Sequence, residues 1–189
     1  METPTKIDRR IVRTKEAITK AFLELFAEKD LEHITINDIA DRANVNRGTV
    51  YLHYSDKYDL LDKLIDDHLN KLIHFCDPHG ETPLVGELLP VFAYIRDHFL
   101  FFSAMLSTSR AALFRQRLMA FVAVNVKEKL DRRTPHSEID GELNAQFMAS
   151  AFVGTVEWWI QHGMPHPPEF MADQLWKLFE KNEVYPARK

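Results

Sequence analysis

The run Thr35–Lys57, T-I-N-D-I-A-D-R-A-N-V-N-R-G-T-V-Y-L-H-Y-S-D-K, constrains this chain most, because it encodes two short helices joined by a tight turn. Thr35 precedes Asp38 by three residues, the spacing at which side chain and backbone cap each other, so a helix is expected to start here. Ile36, Ile39, Ala40 and Ala43 then share one apolar stripe, and Ala40 is small where a second helix must cross closely. Asn44 suits the positive φ of a turn, and Asn46 is a good N-cap for a helix from Arg47 onward. On that second helix Val50 and Tyr54 face inward, Arg47 and Tyr51 lie on their flank, and Gly48, Thr49, Leu52 and His53 face outward. Glycine inside a helix costs about 1 kcal/mol relative to alanine, which close approach to an external surface would offset.

A DNA backbone is such a surface. The contact set expected on this reading is Thr35, Asn46, Arg47, Gly48, Thr49, Tyr51, Leu52, His53 and Lys57. Arg47 and Thr49 suit base edges, Leu52 a thymine methyl, and Tyr51 and His53 phosphate oxygens. Ser55 is expected to cap a third helix whose free amides, with Lys57, hold another phosphate. Spacing alone leaves a solvated helical hairpin as an even alternative.

The same residues shift that balance, because the stretch resembles the DNA-binding domain of the TetR family of bacterial transcription regulators. Thr35, Ile39, Ala40, Ala43, Val45, Gly48, Thr49, Tyr51, His53 and Lys57 match the family's pattern. Asn44, Asn46 and Tyr54 replace its usual Gly, Ser and Phe with residues of the same physical role, and Leu52 stands where many members carry a polar residue. The likeness runs from Arg9 to His68.

Upstream, Ile11, Thr14, Ile18, Ala21, Phe22, Leu25 and Phe26 recur at helical steps and predict a covering helix over about Asp8 to Glu28. The first 20 residues hold six Lys or Arg against three Asp or Glu, and Arg9, Arg10 and Arg13 suit a phosphate backbone or a minor groove. The net charge of −4 argues against a general nucleic-acid binder, so the DNA reading rests on local geometry. No signal peptide and no uncharged apolar stretch of membrane-spanning length is apparent, and one cysteine, Cys76, leaves no internal disulfide, which together lead us to expect a cytoplasmic protein.

Beyond Lys57 the pattern stays helical, predicting an all-α chain: a helix-turn-helix domain at 1–57 and a helical regulatory and dimerisation domain at 58–189. Segments are expected from Lys57 to Phe75, Pro83 to Leu106 with a kink at Pro90, Arg110 to Leu130, Glu138 to Gln161, and Pro168 to Glu180. In the fourth, Ala145, Ala149, Val153 and Gly154 make a narrow strip beside bulky Phe147, Met148, Phe152, Trp158 and Trp159. The TetR resemblance implies that this helix and the last, through Leu175, Trp176 and Phe179, form a homodimer interface.

That resemblance also implies a small apolar effector. Phe92, Phe99, Phe102, Met105, Phe114, Phe121, Phe147 and Phe152 either line its pocket or are simply core. The segment from Phe99 to Leu118 is faintly similar to the branch of co-activators of dihydroxyacetone kinase operons. His68, His74, Cys76 and His79 have no regular ligand spacing and read as surface histidines, so no metal or other cofactor is expected. Neither a phosphate loop nor a nucleophile elbow is present, which argues against an enzyme. The leading expectation is a homodimeric repressor that sets its two Arg47–Tyr54 helices into successive major grooves of a palindromic operator. The alternative is a TetR-like co-regulator that answers to a protein partner.

Overall fold

The computed structural model describes residues 6–75, 84–106, 112–133 and 139–181, and among them every regular element is helical. Cys76, Pro83 and His79 lie outside these residues, as does the start of the segment expected from Glu138. The chain divides into two compact units, Met1–Asp67 and His68–Lys189.

The first unit holds α1 (Lys6–Glu28), a 3₁₀ turn (Leu31–His33), α2 (Ile36–Arg42), α3 (Arg47–Tyr51) and the start of α4 (Lys57–Ile73). α1 packs on α2, and α2 on α3. Ile18, Phe22, Leu25 and Phe26 of α1 meet Ile34, Ile39, Ala40, Val50 and Tyr54 in one core, all of them buried. Each Ile, Leu, Val or Phe side chain among them contributes about 1.5–3 kcal/mol through burial, which dominates any exposed ion pair here. Arg42 nevertheless fixes the α1/α2 register, donating from both terminal nitrogens to Glu28 at 2.9 Å each.

The second unit holds the end of α4, then α5 (Leu84–Asp97), α6 (Phe99–Leu106), α7 (Ala112–Arg133), α8 (Gly141–Gln161) and α9 (Pro168–Lys181). α7 packs along α8, and α5 against α9, around Phe92, Phe102, Phe114, Leu118, Ala145, Ala149, Val153 and Trp159. α8 ends in a Schellman turn: Met164 N donates to Trp159 O at 2.8 Å and Gly163 N to Ile160 O at 3.0 Å, with Gly163 at φ 71°. Pro168 then opens α9 as its first residue, where its missing N–H costs nothing.

The segment expected to run from Pro83 to Leu106 with a kink at Pro90 is instead two helices with axes 89° apart, broken at His98. Pro90 forfeits one hydrogen bond in the middle of α5 without ending it. His98 does end it: its amide closes α5 on Tyr94 O at 3.0 Å, while its own carbonyl accepts from Phe101 N at 3.0 Å and Phe102 N at 3.2 Å to open α6. The corner sends Phe101, Phe102 and Met105 into the core.

His68, read from the sequence as a surface histidine, is buried, because it stacks on Phe101 with ring centroids 3.7 Å apart. Burial holds its imidazole at about 3, with the neighbouring His98 and Lys71 pressing the same way, and the Tyr94 hydroxyl is hydrogen-bonded to Nδ1 of the neutral ring at 2.6 Å. The folded chain refuses a proton that the unfolded chain takes near pH 6.5, so this contribution is complete above pH 6.5 and drains as pH falls toward 3. Between pH 7 and 4.5 the wild type should lose about 2–3 kcal/mol more than His68→Phe. Urea melts at several pH values would show it; parallel stability curves for the two proteins would refute it.

Candidate nucleic-acid interface and C-terminal cavity

The capping box is complete: Asp38 N donates to Thr35 Oγ1 at 3.1 Å and Thr35 N to Asp38 Oδ2 at 2.9 Å. Lys29 adds a bond to the same carboxylate at 2.8 Å, and these hydrogen bonds hold the Asp38 carboxyl down at about 2. Asn44 turns the chain at φ 53°. Val45 N then donates to Ala40 O at 3.0 Å, which fixes the angle at which α3 leaves α2. Asn46 occupies the N-cap position of α3 without a side-chain capping bond; its carbonyl accepts from Thr49 N at 2.8 Å, and its carboxamide stays exposed.

Val50 and Tyr54 anchor α3 inward, and the residues between them are presented outward. Arg47 and Gly48 are exposed, Thr49 and His53 half-buried, Tyr51 45% exposed and Leu52 80% exposed. A Cβ built at Gly48 would meet nothing, so no internal packing accounts for that glycine. The Arg47 guanidinium lies over the Tyr51 ring at 5.3 Å and donates to its hydroxyl at 3.1 Å, so the two act as one pre-ordered group.

Arg10, Ile11 and Thr14 of α1 line one groove with Asn44, Asn46, Thr49, Leu52 and His53. Ile11 and Thr14 belong to the apolar stripe of α1, yet Ile11 is 41% exposed. The stripe overshoots the core by two turns, and that overshoot is the signal by which the sequence marks this wall of the groove.

Lys57 lies against the 3₁₀ turn. Its ammonium donates to Leu31 O at 2.7 Å and Glu32 O at 2.9 Å, bracing the 3₁₀ turn. Asp56, rather than Ser55, caps α4, accepting from Tyr58 N and Asp59 N at 2.8 Å each. Ser55 N in turn donates to Asp59 at 2.8 Å, so these amides already have acceptors.

The model of bacterial regulatory proteins of the tetR family matches residues 18–64, and that of a transcriptional regulator C-terminal region of the same family matches residues 87–181, half of the chain. The chain belongs to the TetR family. This TetR-family chain is 25% identical over 181 residues to the HTH-type transcriptional regulator YxbF of Bacillus subtilis, covering 89% of itself and 45% of that protein. It is 38% identical over 52 residues to the HTH-type transcriptional repressor BepR of Brucella suis, covering 28% of itself and 25% of that repressor. The chain thus spans less than half the length of these curated relatives. The dihydroxyacetone kinase operon activator DhaS shares its fold, with a TM-score of 0.67 at 18% identity over 92% of this chain and 98% of that one.

In the C-terminal unit of this TetR-family protein a partly enclosed cavity of about 80 Å³ is lined by Leu72, Glu87, Leu88, Val91, Phe121, Val122, Asn125, Val126, Lys129 and Phe152. Of the eight residues named from the sequence as a pocket, Phe121 and Phe152 line it. Phe92, Phe102, Met105 and Phe114 are packed in the core, and Phe99 and Phe147 are exposed at 43% and 54%. Glu87, Asn125 and Lys129, the polar part of the wall, carry no sequence signal beyond being charged or polar residues on otherwise apolar helices. α8 presents Leu143, Phe147 and Trp158 outward, and α9 presents Phe170 and Leu178. Leu175 and Phe179, expected on the outer face of α9, point into the unit's own core, because α9 packs on α5 through that side.

Proposed function

We propose that the chain is a homodimeric transcription repressor in the bacterial cytoplasm, which reads a palindromic operator with α3 and is released by a small molecule. The observation that carries the DNA reading is the outer face of α3. Arg47, Gly48 and Leu52 are held outward by a helix-turn-helix whose first helix is fully capped, with a glycine that nothing inside the unit requires and a leucine that is 80% exposed. In contact with a duplex, Arg47 and Thr49 face base edges, Leu52 a thymine methyl, and Tyr51, His53 and Thr35 phosphates. Gly48 and Asn46 let the backbone approach, and Lys57 contributes by bracing the turn. Residues 1–57 serve as the head and 58–189 as the regulatory part.

Dimerisation is supported by the exposed apolar face of α8 and α9, a run of Leu143, Phe147, Trp158, Phe170 and Leu178 that is costly to leave in water. The repressor sign rests on likeness to BepR over 52 residues. The test is selection of bound duplexes from a random pool at about 0.1 M salt. Enrichment of two inverted half-sites about one helical turn or a multiple apart is expected. No sequence preference would overturn the reading.

A further inference from the structure

Glu87 of α5 and Lys129 of α7 are 5% and 8% exposed, and the Lys129 ammonium donates to Glu87 Oε2. Glu87 Oε1 is buried and takes no hydrogen bond from any described group. Both side chains line the C-terminal cavity, whose remaining wall is apolar apart from Asn125, and Asn125 donates its amide to Phe121 O at 2.8 Å. A buried carboxylate oxygen without a donor is expensive, so a ligand that supplies one is favoured by more than its apolar contact.

The charges decide what kind of donor fits. Glu87 and Lys129 balance each other, so an ammonium would add an uncompensated positive charge beside Lys129 in an apolar cavity. A carboxylate would bring two more acceptors against Glu87 Oε1, which is already an acceptor. A hydroxyl is neutral, donates to Glu87 Oε1, and can accept a hydrogen bond from the remaining Lys129 N–H groups. Size narrows the choice further, since about 80 Å³ is roughly half the cavity that encloses a benzene ring, leaving room for about three or four non-hydrogen atoms.

We propose that this cavity binds a small uncharged alcohol, its hydroxyl donating to Glu87 Oε1 and its carbon chain lying against Leu88, Val91, Phe121 and Phe152. The inference deepens the reading that a small molecule controls this chain, and it is tested apart from DNA.

The full chain would be titrated with propan-1-ol, propionate and propylammonium, following the methyl resonances of Leu88, Val91 and Val126 by NMR. Propan-1-ol should saturate at about tenfold lower concentration than either ion, the worth of one hydrogen bond to a charged group. The double variant Glu87→Leu/Lys129→Leu, checked for folding by circular dichroism, keeps an apolar wall and should lose that difference. Three equivalent probes, tighter binding of an ion, no saturable shift with propan-1-ol, or a double variant that keeps the preference would each overturn the site. Operator affinity is then measured with and without propan-1-ol. Saturable binding that leaves operator affinity unchanged upholds the site and removes only the effector reading.

Discussion

Arg47→Ala should lower affinity for the selected operator by about 30-fold to 10⁴-fold while leaving thermal stability almost unchanged. A side chain bonded to a base edge is worth about 1–3 kcal/mol, and the proposed dimer presents each contact twice, so the loss is about 2–6 kcal/mol. Stability is spared because Arg47 is exposed and its partner, Tyr51, is itself at the surface; such substitutions stay within about 0.5 kcal/mol. Gly48→Ala sharpens the contrast. With open space around the position, the added methyl should stabilise α3 by about 0.4–1 kcal/mol. It should still weaken operator binding, because it stands between the helix and the duplex. Fluorescence anisotropy on labelled operator, beside a thermal melt of the same samples, reads both quantities. Variants that bind as tightly as the parent would remove α3 as the reading element.

How much of this could be read from the chain depended on how local the physics is. The α2 cap rests on two residues three apart, and the turn on one asparagine that tolerates φ 53°, so both follow from spacing. The inward pair Val50 and Tyr54 follows equally from helical periodicity. What spacing missed was decided at a distance. Lys57 finds carbonyls that lie 25 and 26 residues earlier in the chain. His98 breaks α5 from α6 although Pro90 is the stronger local breaker, because two phenylalanines after it reach the core only if the chain turns. α9 is amphipathic, yet which of its sides is inner was settled by α5, and this moved the outward face from Leu175 and Phe179 to Phe170 and Leu178. For the cavity, aromatic density located the right helices but not the wall, whose polar residues make sense only after α5 and α7 bring Glu87 and Lys129 together.

Lys129→Met should cost about 3–5 kcal/mol of stability, whereas Glu87→Leu/Lys129→Leu should lie within about 2 kcal/mol of the wild type. The single change leaves a carboxylate that is 5% exposed, already lacking a donor at Oε1, without its counter-ion. The double change removes both desolvation penalties and adds two apolar side chains to a wall that is mostly apolar already. With Glu87→Leu and Lys129→Leu as the two single changes, the double closes a cycle with a large coupling energy, its loss far smaller than the two single losses added. Urea unfolding followed by tryptophan fluorescence isolates the right unit, since Trp158, Trp159 and Trp176 all lie in His68–Lys189. A double variant as unstable as Lys129→Met would mean that the pair holds α5 to α7 directly. A double variant as stable as the parent would mean that folding has no need of the pair, and its reason must then be sought in what the polar end of the cavity recognises.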